Sequence, residues 1–221
     1  MQAAELTAEF GIAGVLDFVE TEHRLVKAAI SLDGVAGELY LQGAHLTAWQ
    51  PPGERPVLFT SPNSVFAPGR AIRGGIPIIF PWFGASRHAL AAAQHGFART
   101  APWHLDRVET SGRESLTLTL SLGDGDVGSP FWPEPFRAIY TVTFAQTLSL
   151  RLAVQNRATE GRGRGSVVPR AQKGDVEEPG VLRRGEPLAT LTPRLDQVQS
   201  HGVRPGSDLK TLGREETGLR I

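Results

Sequence analysis

The chain has 221 residues, enough for one large domain or two small ones and for a sizeable core. Basic and acidic residues each number 23, so the net charge is zero, which argues against a general binder of nucleic acid or of membrane surfaces. The absence of cysteine excludes disulfides and thiolate metal sites and allows a reducing cytosol.

The N-terminal stretch MQAAELTAEF carries Glu5 and Glu9 and no basic residue, so it does not read as a secretory leader. The most apolar uncharged run, 74–86, is broken by Pro77 and Pro81 and is too short to span a bilayer. The expectation is a cytoplasmic protein. Strands are predicted at 15–20, 23–32 and 35–42, separated by Thr21-Glu22 and by an Asp33-Gly34 turn. The run SLTLTLSL at 115–122 alternates with period two, which marks a strand with one wet face. Segments 137–144 and 147–154 are predicted to form a hairpin across Ala145-Gln146. No segment shows sustained helical periodicity. Many short strands with Gly/Pro turns read as an all-β antiparallel sandwich or barrel.

Past Asn156 the character changes. None of the 16 aromatic residues lies after Phe144, although 77 residues follow it. Residues 157–221 are rich in Gly, Pro and Arg, with scattered Val and Leu of no clear period. Such a composition cannot easily bury enough surface to offset its ordering entropy, so a disordered tail is expected. Two units are therefore expected: 1–156, a β-sandwich part, and 157–221, the low-aromatic tail. Arginine outnumbers lysine 20 to 3, as in GC-rich coding sequences, and out-of-frame translation of such a gene would yield a tail of this kind.

The chemistry is concentrated in three blocks: GAHLTAWQP at 43–51, RAIRGGIPIIFPWFG at 70–84 and QHGFARTAPW at 94–103. The middle block sets Arg70 and Arg73 against a wall of Ile78, Ile79, Phe80, Trp82 and Phe83. A planar guanidinium suits an anion through paired, charge-assisted hydrogen bonds, and aromatic walls exclude water, which strengthens charged contacts. Gly74-Gly75 permits a sharp turn beside Arg73 and the close approach of a ligand. Arg73 reads as projecting from the rim, and Arg70 as a solvated rim charge. Phe80, Trp82 and Phe83 read more as core than as ligand stack, and His45 as packing near a strand end. His23, His88, His104 and His201 show no HxH or HExxH spacing, so no metal site is expected. No GxSxG, P-loop or GxGxxG is present, and GRGRG at 161–165 is a weak hint of RNA contact on a neutral chain.

In order and spacing these blocks resemble the glucose-6-phosphate 1-epimerases, hexose-phosphate mutarotases related to the aldose 1-epimerases. The resemblance covers about residues 10–156, including PFRAIYTVTFAQTLSLRLAVQN at 135–156. It implies a galactose mutarotase-like antiparallel β-sandwich, here truncated, and α/β interconversion of a hexose 6-phosphate without cofactor or metal. It implies substrate contacts at Arg73, Gln94 and Arg99, with His95 beside them as a sugar-hydroxyl donor. It also implies a catalytic histidine in an Ala-Leu-His-Thr-Tyr segment after the strand pair, and a later aspartate contact and catalytic glutamate. None of those motifs occurs in this sequence. The catalytic residues therefore stay unassigned, and the chain as written is expected to be inactive, with open sheet edges. The alternatives are a non-catalytic sugar-phosphate-binding or regulatory protein and a pseudogene product.

Overall fold

A computed structural model describes residues 2–86, 92–128 and 132–157. The expected tail beyond 157, the GRGRG run, His88 and His201 lie outside these described residues.

Among the described residues, eight strands form two four-stranded antiparallel meanders. The first holds β1 (Leu16–Glu20), β2 (Val26–Ser31), β3 (Ala36–Tyr40) and β4 (His45–Gln50), in that order across the sheet. The second holds β5 (His104–Ser111), β6 (Ser115–Gly123), β7 (Phe136–Phe144) and β8 (Leu148–Asn156), again in chain order. The predicted hairpin pairs Phe144 with Leu148, and the Asp33-Gly34 turn closes with Leu32 N–H donating to the Val35 carbonyl at 2.8 Å.

Alternation explains the core. Leu116, Leu118, Leu120 and Leu122 of β6 are fully buried, while Thr117 on the opposite face shares a hydroxyl hydrogen bond of 2.9 Å with Thr143 of β7. These leucines join Tyr140, Val142 and Phe144 of β7 and Leu39, Leu46 and Trp49 of the first sheet in one cluster. The sheets meet closely at Gly37, where a Cβ would collide with the Phe144 ring.

Three features depart from expectation. A helix, α1 (Ala3–Phe10), precedes β1 and buries Leu6. The spacing of Ala3, Leu6 and Phe10 is helical, but two turns are too short to stand out as a period. Glu5 accepts from the Gln2 backbone N–H at 2.9 Å, and Thr7 Oγ1 accepts from the Phe18 N–H at 3.2 Å, which ties the helix to β1. A short second helix, α2 (Asp124–Val127), follows β6. Strand β5 gave no alternating signal because it is an edge strand, largely exposed and carrying Asp106, Arg107 and Glu109. Among the described residues, no helix is long and apolar enough to cross a membrane.

Candidate substrate-binding site

Between β4 and β5, the described residues of 51–103 hold no extended strand, and this segment carries two of the three blocks. It is held to itself and to the first sheet through isolated bridges. Thr60 pairs with Gly74 and Leu46 with Ile76, and the Gly75 N–H donates to the Phe59 carbonyl at 2.8 Å. Gly74 and Gly75 have φ of 93° and 61°, so the sharp turn is present. The close approach they allow is to the protein's own backbone. A Cβ on Gly74 would meet the Phe59 carbonyl oxygen, and one on Gly75 the Leu46 carbonyl oxygen.

This turn presents Arg73. Its N–H donates to Ser64 Oγ at 2.8 Å and its carbonyl accepts from the Ser61 N–H at 3.0 Å, while the residue as a whole is exposed. Ile72, buried against Leu25, Tyr40 and Phe66, anchors the turn from the other side. Arg70 is exposed, as expected of a rim charge.

The third block folds back on the middle one. Phe80 bridges to Gly96, and the Phe97 N–H donates to the Phe80 carbonyl at 3.0 Å. Gly96 has φ of 70°, and a Cβ there would strike the Phe80 carbonyl oxygen. Phe80 is buried in a cluster with Phe97, Trp132 and Phe136, and Trp82 is half-buried against Phe97. Phe83 is different. It is 61% exposed, with its ring 4.9 Å from the His95 ring in an edge arrangement, so the expectation of a core residue is corrected.

His95 adopts φ of 64°, left-handed and uncommon for a non-glycine residue. Its Nδ1 accepts from the Gly84 N–H at 3.1 Å, and its own N–H donates to the Gly84 carbonyl at 2.7 Å. With Nδ1 occupied as an acceptor, the neutral ring carries its proton on Nε2 and offers a donor there. Burial, and then the Arg99 charge, lowers the His95 pKa from its ordinary value, which favours this neutral form.

Arg99 is half-buried, with Nη2 donating to the Gln94 carbonyl at 2.8 Å and Nε buried without a partner. Burial lowers its pKa, and so does the charge of Arg73. Among the described residues, neither guanidinium forms an ion pair with a carboxylate. The Gln94 side chain is exposed. Gln94, His95 and Arg99 therefore share one segment, and Arg73 stands on the turn of the middle block.

Sequence reading missed the part played by the β3–β4 corner. His45 is fully buried, as packing near a strand end implies, but its Nε2 also lies 2.8 Å from the Gly74 carbonyl oxygen. Gln42 is buried beside the middle block and hydrogen-bonds to it. The signal available was two polar side chains in a short apolar turn, LQGAH, which has no surface reason to carry them. Among the described residues, no cluster of three or more His, Asp or Glu is arranged to hold a metal ion.

Comparison with known proteins adds a family. The aldose 1-epimerase family profile matches residues 30–162. A protein of Escherichia coli (strain K12) named "Putative glucose-6-phosphate 1-epimerase" is 38% identical over 138 residues, which is 62% of this chain and 43% of that protein. A protein of Cenchrus ciliaris with the same name is 32% identical over 155 residues, covering 66% and 46%. The crystal structure of a mutarotase-named protein, YeaD, from Salmonella typhimurium superposes with a TM-score of 0.62 at 32% identity, covering 65% of this chain and 48% of its own. This chain spans about half the length of the relatives it matches.

Proposed function

This chain belongs to the aldose 1-epimerase family, and from that premise we propose that it is the phosphate-binding part of a hexose-6-phosphate mutarotase, acting in the cytoplasm. The observation that carries the reading is that Arg73 and Arg99, both without a carboxylate partner among the described residues, are borne by backbone that meets the same corner, Gly74 at His45 and Arg99 at Gly43. Two cations without carboxylate partners suit an anion, and a phosphate dianion offers oxygens to both forks. The neutral His95 ring, donating from Nε2, suits a sugar hydroxyl, and the exposed amide of Gln94 stands next to it in the chain.

Mutarotation needs a base to take the anomeric hydroxyl proton and an acid to protonate the ring oxygen. The ring then opens to the aldehyde, C1–C2 rotates, and the ring recloses on the other face. Arg73, Arg99, Gln94 and His95 position a ligand but leave both proton transfers unassigned. General acid–base groups each supply roughly 10²–10⁴ in rate, so this chain alone should bind the sugar phosphate without accelerating its mutarotation.

Calorimetry and a polarimetric or coupled anomer assay test both halves. Glucose 6-phosphate should bind, and Arg99→Ala should weaken it by about 1.5–3 kcal/mol, the scale of a charged hydrogen bond. Unchanged affinity in that variant would place the anion elsewhere. The mutarotation rate should equal that of buffer, and a faster rate lost in His95→Ala would give His95 the catalytic role.

A further inference from the structure

The corner between β3 and β4 holds both arms of this site although it supplies neither arginine. Gln42, only 9% exposed, donates from Nε2 to the Ala67 carbonyl at 3.1 Å and to the Arg70 carbonyl at 2.8 Å. Its Oε1 accepts from the Gly69 N–H at 2.7 Å. Four residues further along the loop, the Gly74 carbonyl lies 2.8 Å from His45 Nε2. A carbonyl can only accept, so His45 is the Nε2–H tautomer. The chain is therefore gripped at 67–70 and again at 74, on either side of Arg73.

The same corner meets the other arm. The Gly43 N–H donates to the Ala101 carbonyl at 2.7 Å, and Gly43, at φ of 76°, has no Cβ where the Arg99 backbone passes. The next residue, Ala44, also takes a left-handed φ of 42°, although it is not glycine. That conformation costs free energy and persists only where the surroundings impose it. His45 Nδ1, a lone pair, and Arg99 Nε, an N–H, are both buried without partners and are chemical complements.

We infer that Gln42 and His45 are positioning residues of the anion site, fixing where Arg73 stands relative to Arg99 without touching the ligand. The inference rests on the reading of those arginines as phosphate-binding. Arg73 is exposed, so its place comes from the backbone that carries it, held at 67–70 and at 74. Buried hydrogen bonds to carbonyls add little net stability but specify one geometry, and an apolar replacement leaves those carbonyls unpaired.

The test is calorimetric titration of the full chain with glucose 6-phosphate and with inorganic phosphate. His45→Leu and Gln42→Leu should each weaken both ligands about tenfold. His45→Gln, whose amide nitrogen can reach the Gly74 carbonyl as Nε2 does, should restore affinity to within about threefold. A role in folding alone would not follow that order among chains with the wild-type melting temperature. Gln42→Glu, which keeps size but turns two donors into acceptors facing carbonyls, decides the question if a leucine variant does not fold. Wild-type affinity in the leucine variants or in Gln42→Glu, with Arg73→Ala still weakened, would overturn this inference and leave the anion site standing. No binding of either ligand by the wild-type chain would overturn both.

Discussion

The β5–β8 sheet and the 51–103 segment are built on opposite principles. In the sheet, β6, β7 and β8 are nine residues each and pair in unbroken antiparallel register, Leu116 with Phe144 through Gly123 with Arg137. One alternating pattern places every inward side chain at once. The described residues of the 51–103 segment bridge their surroundings by isolated pairs and turn through left-handed positions at Gly53, Gly69, Gly74, Gly75, Gly84, His95 and Gly96, while Ile76, Ile78, Phe80, Ala98 and Ala101 join the shared core. Away from those core residues, its backbone contacts are made one at a time. A substitution in the sheet should therefore cost stability according to the volume it removes. In the segment, cost should follow the individual backbone contact, and ligand binding should change before the fold does.

Phe144→Ala tests the first half of that contrast and carries the largest expected effect. The ring is fully buried, faces Gly37 across the sheets, and belongs to the cluster that both sheets share. Its removal should lower the unfolding free energy by about 3–5 kcal/mol, as large-to-small core changes do. Phe59 of the segment is equally large but 72% exposed, and Phe59→Ala should stay within about 0.5 kcal/mol. Chemical denaturation with an unchanged slope reads both. Equal losses would mean that the segment is packed as the sheet is, and the contrast would fail.

Gly96→Ala addresses the second half. Here φ is 70° and the new methyl group would run into the Phe80 carbonyl oxygen, so strain and collision add. Gly53 has nearly the same φ, 72°, with open space around it. Gly53→Ala should cost about 1 kcal/mol, the left-handed penalty alone, and Gly96→Ala about 2 kcal/mol or more. Similar values for the two would show that the Phe80–Gly96 contact yields freely and does not set the position of His95 and Arg99. A large gap would locate rigidity in that one backbone crossing.

The same contrast explains what could be read in the sequence. Leu116 to Leu122 alternate visibly, and the strand and its hairpin partners follow from period two. The three blocks stood out because arginine beside aromatic residues has few other uses. What stayed hidden depends on contacts distant in sequence. Gln42 binds carbonyls 25 and 28 residues away and His45 one 29 residues away, and no local pattern marks such a pair. Strand β5 was silent because an exposed edge needs no alternation, and Phe83 misled because an apolar run does not say which of its members turns outward.

The smallest expected effect is a dependence of stability on pH that originates at the site and not in the sheet. Burial lowers the His45 pKa from its ordinary value near 6.5; the Gly74 hydrogen bond opposes this, and the Arg99 charge adds to it. The unfolded chain therefore takes up a proton at a pH where the folded chain still resists it. Stability from this neutral histidine is complete above the unfolded pKa and is lost as pH falls from there toward the folded one. The slope from one such group cannot exceed roughly 1.4 kcal/mol per pH unit. His95 shifts in the same direction, so two histidines contribute in the same mildly acidic range. Asp126 is also lowered, by the Gly123 N–H and by His104 against its own burial, but its window opens only in the carboxylate range. His45→Gln keeps a donor for the Gly74 carbonyl and removes the titration, so it should flatten part of the decline between neutral pH and about pH 5. Unfolding midpoints measured across that range decide it. An identical decline in wild type and His45→Gln would mean that the buried ring does not hold its proton off in the folded chain, and that the acid sensitivity arises elsewhere.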